Sequence, residues 1–135
     1  DWLAQKLTSS DQSAREAEMI EAHCNKLPNA MAAGMVEIQR LRDAAFATAV
    51  LRARDQSGGP IVLITGSGHA RIDHGVPAAL RAAAPDLSII SLGQKEASDP
   101  ALAPDVGEPF DFLLTTAPVD RPDPCDEIPD KSNDG

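Results

Sequence analysis

The stretch IVLITGSGHARIDHGVPAAL at residues 61–80 decides how this chain is expected to fold. Its first six residues, 61–66, are mostly aliphatic or β-branched and end at a glycine, and a Gly-Gly-Pro sequence precedes them. A short apolar run bounded in this way predicts a strand buried on both faces, as in a parallel sheet. A helix is predicted over 75–84, because Pro77 falls in its first turn, where the missing N–H of proline is tolerated.

Further elements lie on both sides of this stretch. LSIISL at 87–92 and FDFLLTT at 110–116 predict two more strands, and strand, helix and strand in close succession form a right-handed βαβ unit. Helices are predicted over 9–27 and 29–54. In the second, apolar residues recur at the helical period, namely Met31, Met35, Ile38, Leu41, Ala45 and Ala49.

The predicted fold is therefore α/β, a three-layer-type fragment with a small, mainly parallel sheet and long helices. Three strands make a thin sheet, so residues 1–116 are interpreted as the C-terminal half of a larger domain. Residues 117–135 hold four prolines and six acidic residues against two basic ones. Because this segment has few apolar residues to offset its ordering entropy, we expect an extended or disordered tail.

Composition limits the classes of partner. The chain has 135 residues, of which 42% are hydrophobic, and a formal net charge of −9. It has no basic run that could neutralise phosphates, so nucleic acid is excluded as a partner and an anionic membrane surface is a poor one. The sequence contains no run of eighteen apolar residues, so no membrane span is predicted. Small molecules, cations and proteins remain as candidate partners.

The loop after the predicted strand carries the candidate binding residues. In an open α/β sheet, ligands bind outside the carboxyl ends of the strands, and GSGHARIDHGVP lies at such an end. His69 and His74 supply imidazoles, Arg71 supplies a planar cation for carboxylate or phosphate, and Asp73 can orient either histidine. The alternatives are a surface ion pair between Arg71 and Asp73, a His69 that caps the next helix or bonds the backbone, and a His74 that faces solvent. The sequence lacks the third glycine of a dinucleotide fingerprint, the Gly-Lys-Ser/Thr of a phosphate loop and the Gly-x-Ser-x-Gly of a nucleophile elbow.

A second polar group lies on the long helix, where Gln39, Arg42 and Asp43 share one face. This face is either solvated or turned toward the loop, which it then positions as a second shell. His23 falls near the end of the first helix, where a structural role is the simpler interpretation.

The chain has two cysteines, Cys24 and Cys125, which are either free thiols or one disulfide. Cys125 lies in the polar segment RPDPCDEIP, where an exposed thiol would be reactive, and this favours a bridge.

Three motifs in order carry a resemblance to a known family. AHCNKLP at 22–28, MVEIQRLRDAAFATAVL at 35–51 and GPIVLITGSGHARIDHGVP at 59–77 resemble the motifs of the ChaN-like haem-binding uptake family, which is related to the TraB/Tiki and erythromycin-esterase group. DPC at 123–125 is also similar to the family's pattern. Two departures are evident: the half of the family fold with a Gly-Glu-x-His motif is missing here, and His74 stands where the family has tyrosine.

The resemblance implies an exported bacterial haem-binding protein or lipoprotein linked to iron uptake, periplasmic or outer-membrane-associated. Its partner would be haem or another small molecule. It would form a homodimer or pair with its own N-terminal half, and meet a membrane only through a lipid anchor outside this chain. His74 would be the axial ligand, since both tyrosine and histidine ligate haem iron. Arg71 would contact a propionate, and His69 would be a second-shell group or an alternative ligand. An exported location is compatible with a bridge between Cys24 and Cys125.

Two other functions stay open. The related Tiki-type proteins suggest a metal-dependent hydrolase, with His69 as metal ligand or general base, although one histidine with nearby carboxylates supplies too few ligands for catalytic zinc. The third possibility is a non-catalytic interaction module. No catalytic residue or metal ligand is assigned from this sequence, and a binding protein is favoured over an enzyme.

Overall fold

The computed structural model describes residues 2–97 and 107–128. Four α-helices come in the order α1 (Ser9–Ala22), α2 (Asn29–Ser57), α3 (Ser67–Ala70) and α4 (Val76–Ala83). Strands β1 (Leu92–Glu96) and β2 (Phe112–Thr116) follow, and short 3-10 helices span Trp2–Ala4 and Pro124–Glu127. The strands pair in parallel, with Leu92 opposite Phe112. The predicted α/β class with a small parallel sheet and a long helix is confirmed.

The described chain forms two compact units. One contains residues 2–4, 40–97 and 107–119, and the other contains residues 5–39 and 120–128. The predicted division at residue 116 between a folded region and a tail stays a prediction, and positions 98–106 and 129–135 of those ranges lie outside the described residues.

The predicted strand at 61–66 is wrong. The segment is in no strand among the described residues, and Val62 and Ile64 are 85% and 92% exposed. The apolar run has the composition of a buried strand, but a strand needs a neighbour to share its hydrogen bonds, and none lies beside it in the described chain. The candidate loop therefore follows an exposed, irregular segment, and the predicted βαβ unit is not formed.

The second predicted strand, 87–92, is displaced along the chain. β1 begins at Leu92, where the prediction ended, because the partner strand determines where the ladder lies. Ser91 makes the junction: its carbonyl accepts from the backbone N–H groups of Asp111 and Phe112, and its own N–H donates to the Asp111 carboxylate at 2.7 Å. The third prediction, 110–116, contains β2.

The helices confirm most of the predicted boundaries. Thr8 caps α1 by accepting from the N–H of Asp11. This helix ends five residues before its predicted end at Leu27, because Cys24 and Asn25 adopt positive φ angles of 59° and 58°. The second helix runs three residues beyond the predicted Arg54.

The apolar stripe that predicts α2 is not its buried face. Met31, Ile38 and Leu41 are exposed. The buried positions lie on another face of the helix and include two charged residues: Ala32, Val36, Arg40, Asp43 and Ala47.

The core of the first unit forms between the second half of α2 and the short helix α4. Ala47 packs in one cluster with Val76, Ala79 and Leu80. Partly buried apolar side chains surround this cluster, namely Trp2, Phe46, Val50, Leu51, Leu87 and Ile89. The Arg40 guanidinium lies 5.5 Å from the centre of the Trp2 ring, within range of a cation–π interaction. This packing fixes α2 against α4 and thereby sets the position of the loop that joins α3 to α4.

In the second unit, a disulfide joins Cys24 to Cys125, 101 residues apart. Beside it, the Lys26 ammonium donates to the carbonyl oxygens of Cys125 and Ile128 at 3.0 and 2.7 Å. The bridge and these two hydrogen bonds hold the 3-10 helix Pro124–Glu127 on the chain around α1.

In the described ranges, no helix combines the length and apolar character that a membrane span requires.

Candidate functional site

The segment 69–75, which runs from the end of α3 to the start of α4, is held in place from several directions. Ile72 donates its backbone N–H to the Pro109 carbonyl at 2.9 Å and accepts from Arg81 at 3.0 Å through its own carbonyl. The Ser91 hydroxyl donates to the Ala70 carbonyl. Because backbone groups on both sides of Arg71 are bonded to other elements, the side chains of this segment are presented from a fixed support.

Gly75 closes the segment and caps α4. A Cβ atom at this position would overlap the carbonyl oxygen of His69 and lie 2.7 Å from that of Arg71. The Gly75 carbonyl accepts from the N–H groups of Ala78 and Ala79 at the start of the helix. Glycine is therefore required here, because the backbone of the preceding turn approaches too closely for a side chain. It lets the chain pass directly from this turn into α4.

His69 forms a close pair with Asp43 of α2. The Nδ1 atom of the imidazole lies 2.6 Å from Oδ1 of the carboxylate, whose side chain is 1% exposed. The Phe46 ring packs against the imidazole in a T-shaped arrangement, with ring centroids 5.1 Å apart. When the carboxylate is ionised it accepts from Nδ1–H, so Nε2 carries the lone pair of the neutral ring. This arrangement orients an imidazole for coordination or proton transfer.

Arg71, Asp73 and His74 form a second charged group. Arg71 donates from two nitrogens to the two oxygens of Asp73, at 3.0 and 2.7 Å. The Nδ1 atom of His74 lies 3.3 Å from Oδ1 of the same carboxylate, within ion-pair distance. The His74 side chain is 15% exposed. Asp73 thus contacts both the guanidinium and the second imidazole.

Burial alone would raise the pKa of the Asp73 carboxyl. The hydrogen bonds from Arg71 and the nearby charges of His74 and Arg71 outweigh this effect and hold the pKa below its usual value. The carboxylate therefore stays ionised under mildly acidic conditions and keeps its two partners together.

A cleft of about 270 Å³ adjoins this group. Arg71 lines it together with residues from the start of the loop, from β1, and from the segment that leads into and includes β2, namely Ser67, Gly68, Gln94, Lys95, Glu108, Pro109, Phe110 and Leu113. The wall is part polar and part apolar. This volume is just below the range of about 300–1,000 Å³ that encloses a whole drug-sized ligand. The cleft therefore has room for the edge of a larger ligand.

The other predicted residues are distributed differently. Arg42 is exposed on α2, and Gln39 is half-buried in the second unit. His23, also in the second unit, ends α1, and its Nδ1 lies 2.7 Å from the carbonyl oxygen of Met19. This contact with its own helix is compatible with the structural role that the sequence favours for His23.

Sequence reasoning missed the residues that β1 and the segment before β2 contribute to the cleft, Lys95 and Glu108 among them. They form an ion pair at 3.0 Å and lie in polar stretches without any motif. Only the parallel pairing of β1 with β2 brings them together. Across residues 2–97 and 107–128, no three side chains from His, Cys, Asp and Glu converge as a metal site.

Comparison with known proteins gives one family. The family model described as haem-binding uptake, Tiki superfamily, ChaN, matches residues 1–80. No curated protein and no solved structure gives a significant match. The matched region includes α1, α2 and the loop with both imidazoles, and it ends within α4.

Proposed function

Because this chain belongs to the ChaN-type haem-binding uptake family of the Tiki superfamily, we propose that it binds haem through the loop at 66–77. His74 is the proposed axial ligand. The observation that carries this proposal is its contact with the Asp73 carboxylate at 3.3 Å. Imidazoles that bind metals in proteins usually donate their second ring N–H to such an oxygen, which orients the ring and raises its basicity.

The residues present fit the chemistry of haem. An imidazole can ligate the iron, and the neighbouring Arg71 guanidinium has the planar geometry that carboxylates prefer. Haem, when bound, would supply an iron centre within a flat apolar ring that carries two carboxylates. Asp73 would hold the ring of His74 and the guanidinium in place, and the Asp43–His69 pair would support the start of the loop as a second shell.

A proposal about compartment and assembly accompanies this function. We infer an exported protein, periplasmic or outer-membrane-associated, with any lipid anchor outside this chain, because the Cys24–Cys125 bridge is typical of an oxidising compartment. We also propose that the chain acts as a homodimer or paired with its N-terminal half, since a cleft of about 270 Å³ requires a second surface to cover a whole haem.

The test of haem binding uses all three histidines of the chain. Purified protein is titrated with haemin, and the shift of the Soret band is recorded for the native sequence, His74→Ala, His69→Ala and His23→Ala. We expect His74→Ala to lose at least tenfold in affinity and to change the ligand-dependent spectrum, since it removes the iron ligand. His23→Ala is the matched control, because that imidazole contacts only its own helix among the contacts described above, and its spectrum should be unchanged. A native protein without a Soret shift, or an unchanged His74→Ala, contradicts the proposal.

One observation favours a second candidate, a metal-dependent hydrolase of the Tiki type. The close Asp43–His69 pair is the arrangement in which a carboxylate orients a general base. This function requires further metal ligands from outside the described residues. It is supported if elemental analysis of protein without a Soret shift finds a metal that is lost in His69→Ala. If neither haem nor metal is found, the interaction module is the remaining interpretation.

A further inference from the structure

The cleft contains a cation that the family match does not reach. Lys95 lies in β1, beyond the matched residues 1–80, and lines the cleft together with Arg71. Its side chain is 54% exposed although its ammonium lies 3.0 Å from the Glu108 carboxylate. About half of this side chain is thus accessible to a ligand, while the ion pair with Glu108 contributes to holding the ammonium at the cleft.

The other wall of the cleft is apolar. Phe110 lines it with Pro109 and Leu113. The Phe110 ring lies directly on the backbone of Gly93, where an added Cβ would meet a ring carbon at 2.6 Å. An apolar floor beside two cations suits a flat hydrophobic ligand that carries carboxylates at its edge.

The cleft is also connected to the proposed iron ligand. Arg71 contacts both oxygens of Asp73, and the same carboxylate contacts His74. A ligand coordinated by His74 would therefore have an edge close to the guanidinium, and the size of the cleft admits such an edge rather than a whole macrocycle.

We propose that Lys95 and Arg71 together recognise the two carboxylates of the bound haem, which makes Lys95 a residue that determines specificity for the free acid. This inference rests on the proposed function. Glu108 then competes with the ligand for the ammonium, since both are carboxylates. Removal of the Glu108 charge should tighten binding, whereas removal of the Lys95 charge should weaken it.

The experiment compares haemin with haemin dimethyl ester, whose carboxylates are masked, in the same detergent-containing buffer. Dissociation constants are measured for the native protein, Lys95→Gln, Glu108→Gln and the control Lys6→Gln, an exposed lysine that does not line the cleft. We expect Lys95→Gln to bind haemin about three- to fivefold more weakly, the size of a partly exposed ion pair. Glu108→Gln should bind it more tightly, and Lys6→Gln should bind it unchanged. For the ester, all four proteins should be equal.

The outcomes separate this inference from the function on which it rests. If haemin binds but Lys95→Gln equals the native protein, or if the difference persists with the ester, the role of Lys95 is overturned and haem binding stands. If the native protein binds no haemin, both are overturned. The native protein alone gives a reading that needs no variant, because it should prefer the free acid to the ester, and equal affinity for the two counts against the inference.

Discussion

The disulfide between Cys24 and Cys125 should contribute a large share of the stability of the unit formed by residues 5–39 and 120–128. That unit has little core of its own among the described residues, where its buried apolar side chains are Ala32 and Val36. We therefore expect the double variant Cys24→Ser/Cys125→Ser, or reduction of the native protein, to open this unit before the rest of the chain.

The magnitude follows from the length of chain that the bridge closes. If the whole chain unfolds, the loop spans 101 residues, and the loss of loop-closure entropy for about 100 residues is worth about 4.7 kcal/mol. If residues 40–119 stay folded, the flexible part is roughly 25–39 and 120–124, for which the same relation gives about 3 kcal/mol. The expected loss is thus about 3–5 kcal/mol, a large fraction of the 5–15 kcal/mol typical of a domain.

Urea unfolding followed by circular dichroism measures this loss, with and without a thiol reductant. The reductant should lower the midpoint of the native protein and leave the double variant unchanged, which controls for effects on other groups. If the native protein has the same free energy of unfolding with and without the reductant, the assignment of stability to the bridge is refuted.

Substitutions at Asp43, Gly75 and Asp73 test the support of the site. Asp43→Ala should destabilise by about 1–3 kcal/mol, because it leaves the Nδ1 of His69 without its acceptor. Asp43→Asn should cost less in the same urea titration, and equal losses would contradict the pairing. Gly75→Ala should cost roughly 1–3 kcal/mol through overlap with backbone, whereas Gly34→Ala, in open space within α2, should stabilise by about 0.5–1 kcal/mol; the same sign for both would show the glycine argument to be wrong. Because the pKa of Asp73 is lowered on folding, its contribution to stability is complete above about pH 4 and is lost as pH falls below that value. Asp73→Asn should remove this part of the pH dependence in a series of unfolding curves, and identical curves for both proteins would disprove it.

Local sequence predicts the long helix well and its buried face poorly. The period of apolar residues is a property of the chain itself, so α2 appears with the expected start at Asn29. Its face is chosen by partners far away in the sequence. Arg40 is buried because it bonds the carbonyls of Trp2 and Leu3, and Asp43 because it meets His69. No periodicity contains that information.

The strands show the same limit from the opposite side. The aliphatic segment 61–66 has a stronger strand composition than LGQKE at β1, yet only the latter is paired. Pairing needs a neighbour in register, and Leu92 has one in Phe112. The composition of a segment shows only that it is suited to a sheet. Whether it forms a strand depends on another strand lying beside it in the fold.

The candidate site contains residues that a local motif reveals and residues that only strand pairing brings to it. Motif reasoning found the imidazoles of His69 and His74 and the charges between them, because they lie within six residues of each other. It also placed Asp43 on a helix face that could turn toward the loop. Lys95 and Glu108 are separated from the loop by β1 and by a long connection, so only three-dimensional pairing adds them to the cleft.

The exposed segment 61–66 has a consequence for the handling of this protein. It has β-branched side chains and a backbone that is not paired in a sheet, and segments with these two properties nucleate aggregates. An extended strand of another molecule can pair with this segment. The protein concentration and the order in which partners are added therefore determine how much protein associates productively and how much precipitates. Dilute refolding with a complementary strand present should raise the yield of clear solution.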